Sequence, residues 1–158
     1  MHQAEFAARI LEMQQTLYRV SYSFLSQETD REDAVQECIC KAWTKCRMLR
    51  DDNLFQTWVV RILINECHNI GRSRKRVTAI DEFPDRAAPP DGNEALHDAI
   101  LALSEALRMP LVLHYIEGYD VSEISAILRI PAGTVKSRLF RARSRMKELL
   151  TEEAQGNG

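Results

Sequence analysis

The residues with the plainest chemical purpose lie in "GTVKSRLFRARSRMK", Gly133 to Lys147, which holds Lys136, Arg138, Arg141, Arg143, Arg145 and Lys147 and no acidic residue. Cations at that density suit a polyanion, and nucleic-acid phosphate is the obvious one. A second set, Arg61, Asn65, His68, Asn69 and Arg72, recurs at helical spacing and runs on into Arg74, Lys75 and Arg76. Its guanidinium and ammonium groups neutralise phosphates, and the Asn65 carboxamide reads a base edge. The nearby Phe55 and Trp58 either offer flat surfaces to unstacked bases or pack in a core. A third set, Asp33, Gln36, Glu37, Lys41 and Thr44, makes a polar face that is acidic at its start, with Trp43 nearby. That face either complements a helix dipole or docks a protein partner.

Other chemistry is poorly provided for. Cys38, Cys40, Cys46 and Cys67 contain no C-x-x-C spacing and read as buried, reduced thiols. Cys67 and His68 are sequence neighbours, so on a helix they point about 100° apart and form no ligand pair. His2, His97 and His114 are scattered, and no metal, cofactor or small-molecule substrate is expected. No stretch approaches the roughly 18 uninterrupted apolar residues of a membrane helix, because Arg61 breaks "WVVRILI". The N-terminus lacks the apolar centre of a signal peptide, so a cytoplasmic protein without membrane insertion is expected.

The elements that must position these residues all read as helices. Phe6, Ile10, Met13, Leu17, Val20 and Phe24 mark one amphipathic helix. Asp30 is placed to cap a second, whose stripe is Val35, Ile39, Ala42, Cys46 and Leu49. Asn53 and Gln56 are spaced as a capping box for a third, ending at Gly71, so three helices precede the first basic cluster. After "VTAIDEFPDRAAPPDGNEA", which carries Pro84, Pro89, Pro90 and Gly92 without periodicity, four more helices are expected. Pro110 is read in the first turn of "MPLVLHYIEG", with Gly118 at its end. Asp120 and Glu123 cap "VSEISAILRI", and Pro131 opens the last helix. On that helix Val135, Leu139, Ala142, Met146 and Leu149 share an inner face. Ser137, Arg141 and Ser144 then lie outward, Lys136, Arg143 and Lys147 on one flank and Arg138 and Arg145 on the other. A small polar ridge between cationic flanks, after a short capped helix and a turn, is a helix-turn-helix made for a major groove. Phe140 falls on the exposed side, where it either packs on a neighbouring helix or meets a thymine methyl.

The fold expected is therefore all-α: a helical domain at 1–76, an acidic linker at 77–93 and a helix-turn-helix domain at 94–152. The charge agrees, since Val77 to Asp98 sets Arg86 against Asp81, Glu82, Asp85, Asp91, Glu94 and Asp98. The formal net charge of −2 thus conceals two basic patches around an acidic middle.

The stretches "DREDAVQECICKAW", "FQTWVVRILINECHNIGRSRKR" and "LHYIEGYDVSEISAILRIPAGTVKSRLFRARSRMKELL" resemble, in that order, the extracytoplasmic-function group of the sigma-70 family of bacterial sigma factors. The resemblance implies a non-enzymatic transcription initiation subunit that binds core RNA polymerase and directs it to promoter DNA, with an anti-sigma factor as a further partner. The first domain would be sigma region 2, and its "DAVQE" helix would engage the polymerase clamp helices through Asp33, Gln36, Glu37 and Trp43. The minus-ten element would be recognised and opened by Phe55, Trp58, Arg61, Asn65, Asn69, Arg72, Arg74, Lys75 and Arg76, with Asn65 helping to hold a flipped base. The second domain would be region 4, reading the minus-thirty-five element with Thr134, Lys136, Ser137, Arg138, Arg141, Arg143, Arg145 and Lys147. Two positions depart from the family pattern: Arg129 stands where glycine is common before the turn, and Ser104 where proline is usual. The acidic linker would thread a cationic polymerase channel, and the negative net charge would restrain indiscriminate DNA binding. Two other classes fit parts of the pattern. A ligand-sensing regulator would bind its operator alone, and a thiol protein would carry stoichiometric zinc or redox activity.

Overall fold

The structure is a computed structural model that describes residues 1–77 and 94–156, with side chains described for 1–73 and 94–152. The chain forms two compact units, Met1–Arg86 and Ala87–Gly158, and the described residues contain helices and no strand.

In the first unit the N-terminal stripe forms two helices, α1 (Gln3–Glu12) and α2 (Gln14–Phe24), rather than one. The break is a single residue, Met13, at φ −91° and ψ −1°, whose N–H reaches both Arg9 and Ile10 carbonyls. Leu17 still bonds back to Met13, and Phe6, Ile10, Met13, Leu17 and Val20 stay buried. The apolar spacing therefore survives a local tightening of the backbone.

Helix α3 (Glu28–Lys45) starts ahead of Asp30, after Gln27, so Asp30 lies within its first turn and is not the cap. Its innermost line is Ala34, Cys38 and Ala42, each fully buried, while Val35 and Ile39 are half-buried. Small side chains allow close approach of α4, and the Cys38 thiol donates to the Val59 carbonyl at 3.5 Å. Arg31, 2% exposed, ties α3 to α2 by donating to the Leu25 carbonyl at 2.9 Å and lying 4.9 Å over the Tyr22 ring.

Helix α4 (Phe55–Val77) follows a short 3-10 turn at Asp52–Leu54. That turn is capped by Asp51, whose carboxylate accepts the Asn53 N–H at 3.0 Å, in place of the Asn53–Gln56 box. The helix also runs past Gly71, where nothing crowds the backbone, and with the N-terminal stripe split at Met13 the described residues of the first unit hold four α-helices. Cys38, Cys46 and Cys67 are buried as expected, but Cys40 is exposed because it lies opposite the α3 contact line.

The second unit packs α5 (Glu94–Ala102), α6 (Glu105–Leu111), α7 (Val121–Leu128) and α8 (Ala132–Gly156). Ala99, Ile100, Leu103, Leu111, Val112, Ala142 and Met146 form one cluster of its core, flanked by Leu96, Leu107 and Leu149, and Leu113, Ile124, Ile127, Val135 and Leu139 are buried as well. Pro110 is near the end of α6 and not in its first turn. Proline has no N–H to donate, and after it the backbone widens into a π-helical turn at Val112–Ile116, with Glu117 N–H bonded to the Val112 carbonyl. Gly118 ends the turn at φ +80°, a conformation that favours glycine.

Candidate nucleic-acid interface

The best-defined surface is built on α7, the turn after it, and α8. Asp120 accepts the Glu123 N–H at 2.7 Å and its own N–H donates to the Glu123 carboxylate at 3.1 Å, the capping box that the spacing predicts. At the other end of α7, Arg129 takes the left-handed conformation (φ 56°, ψ 47°) in place of the glycine common there. Ser125 braces the turn by donating to the Ile130 carbonyl at 2.6 Å. Pro131 lies just outside α8, and its carbonyl accepts the Val135 N–H at 3.1 Å.

On α8 Val135, Leu139, Ala142 and Met146 are buried and Leu149 is half-buried, as the periodicity requires. Lys136, Ser137, Arg141, Arg143, Ser144, Arg145 and Lys147 are exposed, while Thr134 and Arg138 are half-buried at the edges. The Ser137 and Ser144 hydroxyls donate to the Thr134 and Phe140 carbonyls, each at 3.1 Å, which leaves their oxygens free to accept. Arg145 is paired with Glu148 at 2.8 Å, and Arg143 donates to the Tyr115 hydroxyl at 2.9 Å. Tyr115 did not stand out in the sequence, because its partner is 28 residues away. Phe140 is 65% exposed, so it does not pack into this unit as a core residue.

The second polar stripe is on α4. Asn65, Asn69 and Arg72 are exposed, whereas Arg61 and His68 are half-buried, with the His68 ring 5.0 Å from Phe24. Arg74, Lys75 and Arg76 belong to the same helix but fall outside the described side chains. Phe55 corrects the expectation of a flat nucleic-acid surface. It is 1% exposed and sits edge-on to Phe6, since the first helical turn of α4 is pressed against α1. Trp58 is half-buried beside it, so one part of its ring packs and another part faces solvent.

Next to Asn65, the buried Glu66 turns inward and pairs with Lys41 of α3. Their hydrogen bond raises the Lys41 pKa. Burial, reinforced by the Glu66 charge, pushes the Cys38 thiol up to about 12 and so keeps it protonated. On the outer side of α3, Asp33, Gln36 and Glu37 are exposed and Trp43 is half-exposed with its ring 5.3 Å from Phe6. At 100° per residue these four side chains occupy an arc of roughly 120° on one face. No group of acidic, cysteine or histidine side chains among the described residues could hold a metal ion, and no helix there is long and apolar enough to cross a membrane.

Each unit contains one family match, Sigma-70 region 2 over residues 10–77 and Sigma-70, region 4 over residues 93–146. The chain is 33% identical to the RNA polymerase sigma-H factor of Pseudomonas aeruginosa, over 92% of this chain and 86% of that protein. It is 34% identical to the ECF RNA polymerase sigma-E factor of Escherichia coli K12, over 72% and 70% of the two chains. Among solved structures it is similar to the sigma factor RpoE, crystallised with the anti-sigma factor NepR from Bartonella quintana. The TM-score is 0.82 and the identity 28%, over 93% of this chain and 97% of that one. CnrH in complex with the cytosolic domain of CnrY gives a TM-score of 0.77 and 25% identity, over 96% and 90%.

Proposed function

Because this chain belongs to the extracytoplasmic-function group of the sigma-70 family of RNA polymerase sigma factors, we propose that its two units divide the work of promoter recognition between named faces. As a member of that family the protein is a transcription initiation subunit and not an enzyme: it binds core RNA polymerase and directs initiation at promoters.

The first unit, taken as residues 1–76, docks on core polymerase through Asp33, Gln36, Glu37 and Trp43. These residues are exposed on the outer face of α3, which Cys40 and Thr44 share, away from the fully buried Ala34–Cys38–Ala42 line. The stripe on α4 addresses the minus-ten element: Arg61, Arg72 and the Arg74–Arg76 run hold phosphates, and the exposed Asn65 carboxamide captures an extruded base. Trp58 stacks through its exposed part, whereas Phe55 supports it from the core. The second unit, residues 94–152, reads the minus-thirty-five element. Arg141, Ser137 and Ser144 face base edges, Lys136, Arg143 and Lys147 line one phosphate flank, and Arg138, Arg145 and Thr134 the other. Residues 77–93 connect the units, and their acidic composition suits passage along a cationic channel of the polymerase.

The observation that carries this reading is α8, whose Val135, Leu139, Ala142 and Met146 are buried in the core while its opposite side is a row of exposed cations after a capped helix and turn. The protein works in the cytoplasm, where its polymerase is, and responds to a stress or envelope signal. Two solved relatives are complexes with NepR and with the cytosolic domain of CnrY, which supports an anti-sigma factor as the restraining partner here. The experiment is competition for core polymerase. Gln36→Ala combined with Glu37→Lys is expected to lose to the wild-type chain at unchanged helical content, and equal competition by the double variant would remove the docking assignment.

A further inference from the structure

We propose that Tyr115 and Arg143 form a two-residue clamp for a single DNA phosphate, in which the Tyr115 hydroxyl holds the Arg143 guanidinium ready and offers its own proton to the same phosphate. The proposal rests on the reading that α8 addresses promoter DNA. Tyr115 lies outside the helix-turn-helix proper, in the π-helical turn before α7, and its side chain is half exposed. Its hydroxyl oxygen accepts from Arg143 Nη1 at 2.9 Å, across 28 residues of sequence.

The ring is itself held in place. His114 Nδ1 lies 2.8 Å from the Tyr119 carbonyl, and a carbonyl only accepts, so Nδ1 carries the proton. The imidazole fixed in this way meets the Tyr115 ring edge-on, with centroids 4.8 Å apart at 81°. Tyr119, which anchors the set, is buried. A chain of contacts thus runs from a buried backbone segment through His114 and Tyr115 to an exposed cation.

The donor inventory says what this arrangement suits. Arginine has five N–H donors, and one is spent on Tyr115, leaving the remainder of the fork for an anion. Because the tyrosine oxygen accepts from Arg143, its own O–H proton is left to donate, and a phosphodiester oxygen only accepts. The two side chains therefore offer neighbouring donors that one phosphate can accept. A long arginine held in one rotamer also loses less freedom on capture than a free one, which strengthens binding without adding charge.

The test is binding of reconstituted holoenzyme to a promoter duplex carrying the minus-thirty-five element, measured by anisotropy over a series of potassium chloride concentrations. Arg143→Ala should weaken binding and lower the salt slope by about one. Tyr115→Phe keeps the ring and its contact with His114. It should weaken binding about three- to tenfold at each salt concentration and leave the slope unchanged, because no charge is removed. The double variant should bind within about twofold of Arg143→Ala alone. Thermal unfolding of the second unit controls for folding of each variant. Wild-type affinity in Tyr115→Phe, or an equal loss whether or not Arg143 is present, overturns the clamp while the reading of α8 stands if Arg143→Ala and Lys147→Ala still lower the slope. If neither of those alters the slope, the reading of α8 fails and the clamp fails with it.

Discussion

Replacing Arg129 by glycine should stabilise the second unit, and the amount follows from two opposing terms. Arg129 sits at φ 56° and ψ 47°, the centre of the left-handed helical region. For an L-residue with a Cβ that conformation costs roughly 1–2 kcal/mol, and glycine is free of it. Glycine in turn has a more mobile unfolded chain, which takes back about 0.4–1 kcal/mol. The Arg129 side chain is exposed, so its removal adds little. The central values leave a net gain of about 0.8 kcal/mol, which for a unit of this size raises the melting midpoint by about 3–6 °C. The assay is thermal unfolding of the full chain, following the transition of the second unit separately because two units need not melt together. Arg129→Ala is the control that removes the side chain and keeps the strain, and it should leave the midpoint nearly unchanged. Arg129→Val should lower it, since a β-branched residue fits this region worst. A glycine variant no more stable than the alanine one would refute the claim that this turn stores strain.

Three further outcomes are expected. Stability should fall with rising pH, from about pH 9 in the first unit and about pH 10 in the second: burial holds Cys38 and Tyr119 protonated up to about 12, whereas the unfolded chain releases these protons near their ordinary values of about 8.5 and 10, so alkali favours unfolding of each unit. Urea midpoints at several pH values check this, with Cys38→Ala expected to flatten the lower part of the fall and level midpoints through pH 11 contradicting it. Asn65→Ala should leave closed-complex binding near wild type and strongly reduce promoter opening, read by permanganate footprinting; normal opening would make Asn65 a surface residue of no special role. Arg141→Ala should relax base preference in the minus-thirty-five element, a loss of about 1–3 kcal/mol of discrimination, while Lys147→Ala weakens all sequences alike and flattens the salt slope. Transcription from a randomised minus-thirty-five library at several salt concentrations separates the two, and matching profiles would undo the distinction between ridge and flank.

What the sequence disclosed was what short-range chemistry determines. The Asp120–Glu123 box, the Gly118 stop and the inner face of α8 each depend on residues within a turn or two, and all are where their spacing puts them. Several of the differences arise because packing between elements outweighed the local pattern. The stripe Val35–Ile39 is more hydrophobic than Ala34–Cys38, yet α4 approaches α3 along the smaller residues. No glycine or proline marks the break at Met13. Phe55 looked available to a base because nothing nearby in sequence shows that Phe6 covers it. The Tyr115–Arg143 contact joins segments whose proximity only the tertiary fold creates.

Run-off transcription on genomic DNA fragments, using purified core polymerase with and without this chain, bears most directly on the central claim. Addition of the chain should produce discrete transcripts whose start sites share two upstream elements at a fixed spacing, and those transcripts should be lost with Gln36→Ala/Glu37→Lys. Transcripts that are unchanged by the chain, or tight and specific DNA binding by the chain without any polymerase, would contradict the assignment of its two units to one initiation subunit.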